Sequence, residues 1–64
     1  MSLDEEILLE KRDFYLYKIK HLMLEQSHNP VEDDKKRIQT ELEDAYSQLK
    51  SIEQQLAKMI SNNS

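Results

Sequence analysis

Ser27-His28-Asn29-Pro30 decides the fold. Proline carries no amide proton and its ring clashes with the preceding turn, so it cannot sit inside a helix, yet it suits the first position of a new one. Asn29 reads as the N-cap of that helix, Pro30 as its first residue and Glu32 as its third, with Asp33 and Asp34 beside them where the helix dipole favours negative charge. The second helix is expected from Pro30 to about Ile60, after a turn at 28–29 and before a frayed tail at 61–64. Backwards from the break, the first helix is expected over Leu3–Ser27. Ser2 and Glu5 form a capping-box pattern, Asp4 to Glu6 lie at its positive end, and Lys18, Lys20 and His21 lie towards the other. Two helices joined by so short a connection fold back on one another, giving an all-α antiparallel hairpin of coiled-coil type as a single domain.

The second helix carries one seam. Ile38, Leu42, Ala45, Leu49, Ile52, Leu56 and Met59 follow 4-3-4-3-4-3 spacing, a sustained heptad that calls for a partner helix. The first helix is apolar on two sides. Leu8, Tyr15, Ile19 and Leu22 form one stripe, with Arg12 and Gln26 in its heptad positions and Leu9, Leu16 and Met23 beside it. Ile7, Phe14, Tyr17 and Leu24 form a second, nearly opposite stripe that one neighbouring helix cannot cover. Pairing about the turn sets Ile19 against Ile38, Tyr15 against Leu42, Arg12 against Ala45 and Leu8 against Leu49. Leu56, Met59 and Ile60 then overhang without cover. The second stripe and the overhang together predict a homodimer, most simply an antiparallel four-helix bundle.

Composition removes whole classes of function. The chain has no cysteine and no glycine, so thiolate metal sites, disulfides and glycine-rich phosphate loops are excluded. The net charge of −4, with Lys35-Lys36-Arg37 preceded by Glu32, Asp33 and Asp34, leaves no basic face for nucleic acid. No apolar run is long enough to span a bilayer, and the acidic start is unlike a signal peptide, so no membrane association and a cytoplasmic location are expected. His21 and His28 have no cluster of further ligands, so no metal of its own is expected.

The chemistry-bearing stretch is Ile38-Gln39-Thr40-Glu41-Leu42-Glu43-Asp44-Ala45-Tyr46. Leu42 belongs to the seam, which sends Gln39, Glu41 and Glu43 to its flanks or to solvent. The stretch resembles the second-helix Ser-Gln-Glu-Leu-Asp signature of the small sporulation-regulating aspartyl-phosphate phosphatases, which are short helical hairpins. Glu41 and Leu42 match it; Gln39 stands for the serine, Thr40 for the glutamine and Glu43 for the aspartate. Ile7-Leu8-Leu9-Glu10-Lys11-Arg12 resembles the family's Lys-Arg pair behind an aliphatic residue, although the chain between Arg12 and the signature is longer here. The resemblance implies a response-regulator partner that supplies the phosphoaspartate and its Mg²⁺, with Gln39, Glu41 and Glu43 as catalytic candidates. Leu42 and Tyr46 beside the motif, and Phe14, Tyr17 and Leu24 of the second stripe, are the candidates for partner contact.

A different class of function fits the same heptads. Antiparallel hairpins also serve as effector modules for small GTPases and as scaffold tethers, with no chemistry of their own. The segments Lys36-Arg37-Ile38-Gln39 and Gln48-Leu49-Lys50-Ser51-Ile52 suit that role equally. A chain expected to act as a regulator thus has two readings, phosphatase or interaction module.

Overall fold

A computed structural model describes residues 3–62 as two helices, α1 (Leu3–Ser27) and α2 (Glu32–Asn62), packed along one another as an antiparallel hairpin. Ser2 and its expected capping box lie outside the described residues, as do 63 and 64. At about 1.5 Å rise per residue, the 31 residues of α2 account for the 48 Å length of a rod only 14 × 13 Å across.

The turn differs from expectation in a way that shifts everything after it. Asn29 has φ 55°, a left-handed conformation, so it ends α1 and does not cap α2. Asparagine tolerates that region, and the residue before a proline cannot easily continue the helix. The last turn of α1 is closed by the His28 amide donating to the Glu25 carbonyl at 3.1 Å and by Ser27 Oγ donating to the Leu24 carbonyl at 2.7 Å. The first helical bond of α2 runs from the Lys35 amide to the Val31 carbonyl at 2.9 Å, which makes Val31 the N-cap residue. Valine offers no capping oxygen, and Glu32, Asp33 and Asp34 supply negative charge to the first turn instead. The connection is therefore 28–31, and Pro30 precedes α2. At the far end Ser61 and Asn62 continue the helix where a frayed tail is expected.

The longer connection changes the register. Leu8 packs with Ile52 and Leu56, one seam position beyond the expected Leu49, and Leu9, Tyr15 and Met59 close around them. Leu56 and Met59 thus have cover within the chain, contrary to the expected overhang, and Ile60 is the exposed one. The buried set is small: Leu8, Ile19 and Leu22 from α1 meet Ile38, Ala45, Ile52 and Leu56 from α2, with Ile38 and Ala45 fully enclosed. At about 25 cal/mol per Å² of apolar surface, so narrow a seam stabilises a hairpin only modestly. The second α1 stripe is left uncovered: Ile7, Phe14, Tyr17 and Leu24 are all exposed.

Candidate functional site on the second helix

Three of the residues singled out on α2 share a face. Gln39, Glu43 and Tyr46 stand at i, i+4 and i+7, so they line one side of the helix over about 10 Å of rise. All three are exposed, and none of their side chains makes a hydrogen bond or ion pair among the described residues. Their face lies to one side of the Ile38–Leu56 seam.

Glu41 does not join them. It is two residues from both Gln39 and Glu43, about 200° around the axis, which sets it on the other flank of the seam. There Arg37 Nη1 donates to Glu41 Oε2 at 2.9 Å, and Arg37 Nη2 donates to Glu25 Oε2 of α1 at 2.8 Å. Asp34 Oδ1 lies 4.0 Å from Arg37 Nε. The hydrogen bond to Glu25 raises the Arg37 pKa above its ordinary value; desolvation opposes that, and the charges of Glu25, Glu41 and Asp34 reinforce it. Glu41 is thus one arm of a carboxylate cluster around Arg37. That cluster was legible as i,i+4 and i,i+3 spacing on α2, but its link to Glu25 depends on the turn.

Leu42 is half-buried at the seam, so most of its side chain is committed to α1. Thr40 Oγ1 donates back to the Lys36 carbonyl at 3.0 Å, an intrahelical bond that occupies its hydroxyl. Phe14, Tyr17 and Leu24 are exposed on α1, and Phe14 also borders the groove towards α2. Two ring contacts order that face: Phe14 meets Tyr15 edge-on at 5.2 Å, and Tyr17 meets His21 edge-on at 4.4 Å.

A groove of about 420 Å³ runs between the helices, with Ile7, Lys11 and Phe14 on one wall and Gln48, Ser51 and Gln55 on the other. It lies on the Glu41 flank and further along the rod, so Gln39 and Glu43 do not line it. Among the described residues no group of three or more His, Asp or Glu side chains is placed to hold a metal ion. No helix among them is long and apolar enough to cross a membrane. No protein-family model matches the chain, and neither curated proteins nor solved structures include a significant match to it.

Proposed function

We propose that this chain is a regulatory protein acting by helix-mediated contact with another protein, and that the partner is a phosphorylated response regulator whose aspartyl phosphate it hydrolyses. The observation that supports the reading is the exposed Gln39–Glu43–Tyr46 face of α2, uncommitted within the chain. A hairpin of this width has no pocket at that face and needs none, because the partner supplies the acyl phosphate, its site and the Mg²⁺ that neutralises phosphate charge. Gln39 is placed to orient a water for in-line attack, and Glu43, one turn away, to accept its proton. The water oxygen bonds to phosphorus as the bond to the aspartate oxygen breaks, and the carboxylate leaves with the electron pair. Tyr46 supplies an apolar contact beside them.

A second reading, a binding module without chemistry, draws on the groove between Ile7, Phe14 and Gln48, which is set apart from the polar face. One experiment separates the two. Phosphate loss from a phosphorylated sporulation response regulator is followed with and without the chain, beside Gln39→Ala, Glu43→Ala and Glu41→Ala. Acceleration that falls about tenfold or more in the first two variants, and much less in Glu41→Ala, supports the phosphatase. No acceleration by a folded chain overturns it and leaves the binding module.

A further inference from the structure

The exposed apolar face of α1, bordered at Ile7 and Phe14 by the groove with α2, is itself a heptad. Leu3, Ile7, Phe14, Tyr17 and Leu24 are 71, 41, 61, 64 and 49% exposed. Glu10 and His21 fill the gaps between them, so Leu3, Ile7, Glu10, Phe14, Tyr17, His21 and Leu24 repeat the 4-3-4-3-4-3 spacing of the α2 seam. The edge-on contact of Tyr17 with His21 at 4.4 Å keeps the histidine ring on this face.

From Ile7 to Leu24 the run is symmetric about the midpoint between Tyr15 and Leu16, and Leu3 lies beyond the symmetric part. Phe14 mirrors Tyr17, Ile7 mirrors Leu24, and Glu10 mirrors His21. In a two-fold contact residue i of one copy meets j of the other and j meets i, so this symmetry lets the stripe face itself over its whole symmetric length. We propose that α1 is a self-association face on which the α1 of a second copy docks antiparallel, the two-fold axis passing between Tyr15 and Leu16. Phe14 then stacks on Tyr17 of the second copy, Ile7 packs on Leu24, and Glu10 faces His21, every contact occurring twice. Lys18 and Lys20 border His21, so Glu10 meets a cationic surround, and Asp13 faces Lys20. Lys11 faces Lys18, a like-charge pair whose long stems let both heads reach water. A parallel, in-register pairing would instead set Glu10 on Glu10 and His21 on His21.

This face is separate from the Gln39–Glu43–Tyr46 face, so the dimer stands or falls independently of the proposed activity.

The chain contains no cysteine, so engineered thiols report the geometry directly. Glu10→Cys and His21→Cys are made as separate full-length variants and oxidised singly and mixed, with helicity checked by circular dichroism. The antiparallel register gives a disulfide-linked dimer in the mixture only, because identical positions on the two copies stand about 16 Å apart along the axis, beyond disulfide reach. Cross-linking of either variant alone to the same extent would overturn the register. Light scattering of the unmodified chain should give a dimer, and Phe14→Ser should weaken it by about tenfold or more while helicity persists. A monomer at several hundred micromolar would overturn the proposal.

Discussion

Arg37 of α2 reaches across the turn to Glu25 of α1 at 2.8 Å while its other amino group holds Glu41 at 2.9 Å. One guanidinium thereby ties the end of α1 to the second turn of α2. It also occupies the Glu41 carboxylate, which helical spacing sets on the opposite flank of the seam from Gln39 and Glu43.

Arg37, Glu25, Asp34 and Glu41 all have exposed side chains, so water and salt screen the cluster. Arg37→Ala should lower Tm by a few degrees at low ionic strength, and the difference should shrink towards zero at about 1 M salt, where the screening length is about 3 Å. Glu41→Ala should cost less, because the link to Glu25 survives. Thermal melts across a salt series check both, and a salt-independent deficit for Arg37→Ala would show that packing, not charge, is what the arginine supplies.

Arg12 occupies a heptad position of the α1 seam, and its Nε is buried with no hydrogen-bond partner, 4.0 Å from Asp13 Oδ1. An unsatisfied buried donor costs about 1–3 kcal/mol. Arg12→Leu should therefore stabilise the hairpin by about 1 kcal/mol or more, read as a shifted denaturation midpoint with an unchanged slope. Loss of stability in that variant would mean that the guanidinium makes a bond in solution that the seam geometry does not show.

Asn29 tests the turn. At φ 55° glycine carries no penalty and a β-branched residue carries about 1–2 kcal/mol. Asn29→Gly should leave stability unchanged or raise it slightly, and Asn29→Val should lower it by that amount. Were Asn29 the N-cap of α2, glycine would cost a few tenths of a kcal/mol and valine's penalty would come from the lost cap, which Asn29→Ser would restore. Failure of serine to match asparagine separates the two.

The polar face and the Arg37 cluster show how far spacing alone carries. Positions four and seven apart on a helix must share a side, so Gln39, Glu43 and Tyr46 were aligned by the order of residues. Two residues apart must diverge, so Glu41 was bound to part from them. What spacing could not supply was Glu25, which is distant in sequence and comes near only because the chain reverses at 28–31. Glu10 and His21 do not stand out as members of the second stripe for another reason: both are polar, whereas the stripe is marked by its apolar residues. The intervals of seven from Ile7 to Phe14 and from Tyr17 to Leu24 are the signal that marks their places.

The sequence by itself determined two helices, their separation at Asn29-Pro30, the Ile38–Leu56 seam and the second apolar stripe of α1. All of these follow from local rules of period, capping and proline sterics. Only the tertiary structure decided the register. Whether Asn29 closes α1 or opens α2 is a choice between two backbone conformations that one residue type permits. The left-handed choice lengthened the connection, and Leu8 slid from Leu49 to Ile52 and Leu56, bringing the far end of α2 under cover. Which layers of a rod meet depends on how its turn is built, and that lies beyond the local rules of period and capping.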